Sequence, residues 1–260
     1  MSDISDLFSS FMSVFAGLVE HIADAVEPLF HGSATAAAIV LFTACVRLLV
    51  HPLSRASARG QKARAKLSPQ IAELREKHAK NPERLQKAVL ELHAKEKVSP
   101  LSGCLPSLFQ LPAFFLLYHL FSSSSIGGEA NGLLGHTLVD APLGGRWADA
   151  LGDGGIFGPS GLVYLVLFAV VAAVATFNFR RTKRQMAATR QPSSGEQQVP
   201  GMGAMMKVMP LMSFMTLFTV AVVPLAAALY VVTSTTWSAV ERAFLYRDVP
   251  AGAAALATAV

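Results

Sequence analysis

Two groups of residues in this chain could do chemistry inside an apolar setting. Arg47 sits in a run, residues 34–53, that carries no other Asp, Glu, Lys or Arg. A charged side chain at membrane depth costs about 2.5–3.5 kcal/mol on insertion scales, so Arg47 needs a compensating role. The second group is Thr233, Ser234, Thr235, Thr236 and Trp237, with Glu241 one turn later, in another apolar run; Gln110 stands alone in a third. A fixed cation with hydroxyl and amide groups suits attraction of carboxylates or carbonyl oxygens, not bond cleavage.

One other motif invites a catalytic reading. Gly158-Pro159-Ser160-Gly161 resembles the nucleophile motif of rhomboid proteases. Such a serine needs a histidine base, which in rhomboids lies on a later helix. The last histidine here is His136, earlier in the chain, so the motif reads as the start of a helix with Pro159 in its first turn. The patterns HExxH and GxxxxGK[ST] are absent. Cys45 and Cys104 form no CxxC pair, so neither a disulfide framework nor a metal site is implied. No cofactor, no metal and no enzymatic activity are expected.

The elements that must position these residues are set by composition. Of 260 residues, 52% are hydrophobic and 15% charged, against about a quarter charged in a soluble domain. The apolar residues cluster into five runs that approach the roughly 20 residues needed to cross a bilayer. The expected fold is an all-α membrane protein with five transmembrane helices at about 34–53, 101–122, 160–179, 206–222 and 224–245. Val223-Pro224 separates the last two. Residues 1–33 form an extracytoplasmic tail, 34–247 a core and 248–260 a short C-terminal tail.

Within the tail, Leu7, Phe8, Phe11, Val14, Phe15, Leu18, Val19, Ile22, Val26 and Leu29 recur at helical spacing. They predict an amphipathic helix lying on the outer surface. Residues 55–98 read as an antiparallel helical hairpin. Leu67, Ile71, Leu74 and His78 form one stripe and Leu85, Val89 and Leu92 the other, with Asn81 as N-cap and Pro82 opening the second helix. Ser68-Pro69 is a place for a kink or restart. The Gly- and Ser-rich loop 123–158 reads as flexible, and the loop 180–205, basic then Pro/Ser/Gly-rich, as disordered.

Charge orients the chain. Of 22 Lys and Arg, 12 fall between Arg55 and Lys97 and six between Arg180 and Lys207, whereas the first 33 residues have none. Basic loops stay in the cytoplasm, so the N-terminus is expected outside and the C-terminus inside. Counting about 1.5 Å per residue from the cytoplasmic ends, Arg47 lies roughly 10 Å deep, Trp237 roughly 13 Å and Gln110 roughly 15 Å. This predicts a wet pocket open to the cytoplasm. Two other readings of Arg47 stay open: its side chain could snorkel to the headgroups, or it could pair with Glu241.

Five segments in order resemble the YidC/Oxa/Alb family of membrane protein insertases. They are TACVRLLVHPLS (43–54), LSPQIAELREKH (67–78), PLSGCLPSLFQLPAFFLLYHLF (100–121), MPLMSFM (209–215) and VPLAAALYVVTSTTWSAVERAFL (223–245). The resemblance covers about residues 34–247. It implies a multi-pass protein of a bacterial plasma membrane that inserts and chaperones nascent membrane proteins without nucleotide or metal.

The resemblance also implies roles. Arg47, Thr43, Gln110, Thr233, Ser234 and Trp237 would line a hydrophilic groove for polar parts of the incoming chain. Phe114 and Tyr230 would belong to the surface along which substrate helices slide. The partners implied are nascent membrane proteins and lipid, with ribosome–nascent chain complexes and the Sec translocon, and no reading of nucleic acid. This sequence departs from the family in Thr235, where Asn is commoner, and in Glu241-Arg242, where Gln-Gln is usual. The residues after Arg247 carry no long basic tail, so tail-mediated ribosome tethering is not expected. The rival reading is a small anion transporter or channel, against which stands the absence of an internal repeat.

Overall fold

The computed structural model describes residues 2–78, 81–96, 115, 117–126, 129–189 and 209–246. They are mostly helical: α1 (Ser2–Phe30), α2 (Ala34–Lys77), α3 (Pro82–Lys95), α4 (Trp147–Gly152), α5 (Pro159–Thr189), α6 (Met215–Val222) and α7 (Leu225–Leu245). Two short antiparallel ladders pair β1 (Ser125–Ile126) with β2 (Glu129–Ala130) and β3 (Thr137–Leu138) with β4 (Ala141–Pro142). The expected span 101–122 lies mostly outside the described residues, as does the first part of 206–222.

The chain divides into two units, one of residues 1–49, 112–177 and 211–239, the other of residues 50–111, 178–210 and 240–260. The first holds the main apolar core. Its helix α1 buries Met12, Val19 and Ala23, four to seven residues apart as one helical face requires, and Phe15 meets Phe42 of α2 edge-on at 5.9 Å. A short 3-10 turn, His31–Ser33, joins these helices, with His31 at φ 47°. The first two turns of α7, Leu225 to Val232, are buried throughout.

Two stretches, Met12–Ala63 and Pro159–Arg184, are long and apolar enough to cross a membrane, and 210–222 is a shorter apolar helix. Only 22% of the most apolar window of α5 is buried. Leu162, Val166 and Val170 are exposed along it. A helix in a water-soluble core buries such a face, and α5 leaves it exposed.

The loop expected to be flexible is folded. Leu133, Ala141 and Leu143 are almost fully buried, and Trp147 packs edge-on against Tyr164 at 5.6 Å and Phe168 at 5.2 Å. Asn131 donates to the carbonyls of Leu120 and Ser123 at 2.8 and 2.9 Å and accepts from the Leu133 amide at 3.2 Å. The loop also caps α7. The Leu225 and Ala226 amides, which have no partner within their own helix, donate to the carbonyls of Gly145 and Leu143 at 2.9 Å each. Tyr164 adds a hydroxyl hydrogen bond to Gly145 O at 2.8 Å. A few apolar anchors and one buried asparagine thus outweigh a composition that favours disorder.

Helix α5 begins at Pro159 and does not stop at the first arginines. It continues through the basic segment to Thr189, so the part of the inner loop expected to be disordered over 180–189 is helical. Arg, Lys, Gln, Met and Ala are good helix formers; charge ends an apolar span without ending the helix.

In the second unit, α2 runs on to Lys77 and contains both Pro52 and Pro69, so Ser68-Pro69 does not restart it. Leu67 and Ile71 of α2 pack with Val89 of α3, flanked by Leu74, Leu85 and Leu92. That seam offsets the roughly 3 kcal/mol that an interior proline costs. Asn81 Oδ1 accepts from the Arg84 amide at 3.0 Å and Pro82 opens α3. His93, buried on the same helix, bonds through Nδ1 to Val89 O at 2.7 Å.

Candidate functional site

Within the first unit, α2 and α7 bring Arg47 and Ser234 together across 187 residues of sequence. The Arg47 guanidinium donates from Nη2 to Ser234 Oγ. Ser234 is itself buried, and the hydroxyl of Tyr230, one turn earlier, hydrogen-bonds with it. Arg47 is half-buried. An apolar neighbourhood with little water strengthens the field of a fixed cation relative to bulk solvent.

The polar run around Ser234 has two kinds of members. Thr235 Oγ1 donates back to Val231 O and Val232 O at 2.8 and 3.1 Å, and Ser238 Oγ to Ser234 O at 2.9 Å. These hydroxyls satisfy themselves on their own helix, a common solution for Ser and Thr in helices. Thr236 Oγ1 and Trp237 Nε1 are buried atoms with no hydrogen-bond partner among the described residues. A buried donor left unmade costs about 1–3 kcal/mol.

The other expected site residues separate. Thr43 is 1% exposed and donates to Ile39 O at 2.7 Å, so its hydroxyl is spent on its own helix. Thr233 is half-buried beside Ser234. Tyr230 is 2% exposed, with its ring 6.0 Å from that of Phe121. Gln110 and Phe114 lie outside the described residues.

The second unit contains a pair that sequence reasoning missed. His51 Nδ1 lies 2.6 Å from Glu241 Oε1, with the histidine 37% and the carboxylate 11% exposed. Glu241 thus has a partner four residues beyond Arg47 in α2. A separation of 190 positions leaves no local signature. Glu241→Gln keeps a hydrogen-bonding side chain opposite His51. It is expected to change stability by less than about 1 kcal/mol, the range of partly exposed pairs, and to leave function intact. Detergent melting of the variant checks this; a larger drop would make the pair a structural element.

Also in this unit, Arg181 donates to Arg242 O at 2.9 Å and its guanidinium lies 5.4 Å from the Tyr246 ring centre. Burial raises the pKa of Tyr246, against the pull of Arg242. Among the described residues, no group of three or more His, Cys, Asp or Glu could hold a metal ion.

Comparison with known proteins gives the same direction as the motifs. The family model described as 60Kd inner membrane protein matches residues 27–252. The "Membrane protein insertase YidC" of Clostridium perfringens is 33% identical over 122 residues, which are 47% of this chain and 50% of that protein. The protein of the same name from Prosthecochloris aestuarii is 32% identical over 139 residues, 54% of this chain and 23% of that one. That of Pelagibacter ubique is 44% identical over 81 residues, 31% of this chain and 14% of that one. The chain spans about half the length of the first of these relatives and less of the others. With the family match running from before α2 to beyond α7, the chain belongs to the 60Kd inner membrane protein family, the YidC/Oxa/Alb family.

Proposed function

We propose that this protein is a membrane insertase and folding chaperone. It passes polar segments of nascent membrane proteins through a hydrophilic groove open to the cytoplasm and releases their apolar helices into lipid. The observation that carries this reading is the Arg47–Ser234 contact in an apolar core, with Trp237 Nε1 and Thr236 Oγ1 without a partner among the described residues. Family membership supports it.

Moving a polar tail through hydrocarbon strips water from its backbone and charges, at several kcal/mol per group. A half-channel reaching Arg47 shortens the apolar path, and its positive charge attracts acidic or carbonyl groups entering from the cytoplasm. Thr233, Ser234, Trp237 and Gln110 supply further hydrogen bonds, with Thr43 shaping the wall. The substrate helix then leaves past Phe114 along spans two, three and five, while Tyr230 holds Ser234 in place. No covalent step and no cofactor are required.

The proposed arrangement has five spans, the N-terminus and the loop 123–158 outside, and the hairpin 55–98, the loop 180–205 and the C-terminus in the cytoplasm. Cysteine labelling tests it in a background lacking Cys45 and Cys104. An impermeant reagent added outside intact cells should label Asp140→Cys and miss Lys87→Cys, both exposed positions; labelling of Lys87→Cys overturns the topology. The hairpin, with 12 basic and five acidic residues, is proposed to recruit ribosome–nascent chain complexes, with the Sec translocon as a further partner. Trimming its tip around Asn81-Pro82 should lower insertion in cells severalfold with the spans still folded. Instability of the trimmed protein in detergent would make the hairpin structural instead.

The function itself is tested in liposomes containing only the purified chain. Insertion of a single-span substrate without flux of small anions is the expected result. Anion flux without insertion would favour the transporter reading.

A further inference from the structure

We propose that the cavity between the basic face of α2 and the end of α7 binds the phosphate of an anionic phospholipid headgroup. The cavity has a volume of about 410 Å³ and is lined by Pro52, Arg55, Ala58, Arg59, Lys62 and Leu245. The spacing 55, 59, 62 puts three cations on one helix face. Ala58 is buried between them, and its short side chain leaves space that a larger one would fill. Among the described residues no carboxylate lines the cavity, and Glu241, one turn before Leu245, is held by His51 at 2.6 Å.

Arg55 and Arg59, cations at i and i+4, repel one another, and an anion held between them relieves that repulsion. Two guanidinium forks match phosphate oxygens in a bidentate way that a single ammonium cannot. The remaining wall decides which phosphate. Pro52 and Leu245 close the apolar runs of α2 and α7, so the ligand that fits carries a phosphate at one end and hydrocarbon at the other. Basic pockets at the cytoplasmic ends of membrane helices suit such headgroups. The site rests on the cytoplasmic placement of residues 55–62 proposed above.

The test uses the full chain, purified in detergent and stripped of lipid, with a fluorescent short-chain phosphatidylglycerol whose anisotropy reports binding. Competitors are unlabelled phosphatidylglycerol, phosphatidylcholine, inorganic phosphate and a short oligonucleotide. Phosphatidylglycerol should compete at least tenfold better than each of the others. At roughly fivefold per basic charge, Arg55→Gln with Arg59→Gln should weaken binding about 30-fold. Arg84→Gln with Lys87→Gln, an equal loss of charge on α3, should change it less than twofold. Arg55→Lys with Arg59→Lys keeps the charge and loses the forks, so it should weaken binding clearly but less than the Gln pair does.

Four results overturn the site: phosphatidylcholine competing equally, equal losses in the two Gln pairs, a Lys pair as weak as the Gln pair, or displacement by phosphate or oligonucleotide as good as by phosphatidylglycerol. The readout is binding, so it separates from insertion. A chain that inserts substrate without preferring phosphatidylglycerol sinks this site alone. One that prefers phosphatidylglycerol without inserting sinks only the proposed function.

Discussion

Arg47→Ala is expected to lower insertion of single-span substrates with acidic translocated tails about tenfold or more, and of those with neutral tails much less. Two unit charges 4 Å apart interact by about 4 kcal/mol at an effective dielectric constant of 20. Even a third of that is a factor of about ten in rate. Arg47→Lys keeps the charge and loses the second arm of the fork, so it should retain activity within about threefold. A snorkelling arginine predicts something different: mild losses for both substitutions and no dependence on tail charge. A structural role predicts a drop in detergent melting temperature that tracks the loss of insertion. Equal losses for acidic and neutral tails would remove the groove-charge role of Arg47.

Gly161→Ala should be the most damaging small change to the fold. A Cβ at Gly161 would collide with Gly155 O and lie 2.5 Å from Ile156 O, closer than carbon and oxygen can approach. These carbonyls are backbone, in a turn where Gly154 and Gly155 have φ of 131° and 70°, so no side chain can swing away. Either the turn or the first turn of α5 must shift, which places the cost near the upper end of the roughly 1–3 kcal/mol typical of overpacking. Ser160→Ala, one residue earlier, should leave both melting and insertion near those of the unaltered chain. A Gly161→Ala protein that melts with the Ser160→Ala protein would show that the turn yields freely. This close approach accounts for the glycine at position 161.

How far the sequence discloses the molecule depends on whether the deciding interaction is local. The Asn81 cap is local, and both the residue and the bond it makes to Arg84 follow from Asn-Pro before an apolar stripe. The apolar runs are local too, because hydrocarbon solvent acts on each span by itself. The polar run at 233–237 could be placed beside Arg47 by depth, since helices crossing one bilayer share one scale. Which hydroxyl would face Arg47 could not, because Ser234 and Thr235 differ only in rotation about α7. The His51–Glu241 pair was hidden for the same reason. The loop 123–158 was misjudged because its Gly and Ser content conceals a few buried anchors, among them Leu133 and Leu143, whose partners are distant in sequence. The end of α5 was misjudged because hydropathy reports where lipid stops, not where hydrogen bonding stops.

In the proposed function, polar segments of an incoming chain touch the pocket around Arg47 and Ser234. Site-specific photocrosslinking to a ribosome-stalled, single-span nascent chain tests it most directly. A probe at Thr233 or Trp237 should crosslink to the hydrophilic tail of the substrate, while one at Val166, on the exposed apolar face of α5, should not. Tail adducts no more abundant from Thr233 and Trp237 than from Val166 would contradict the account.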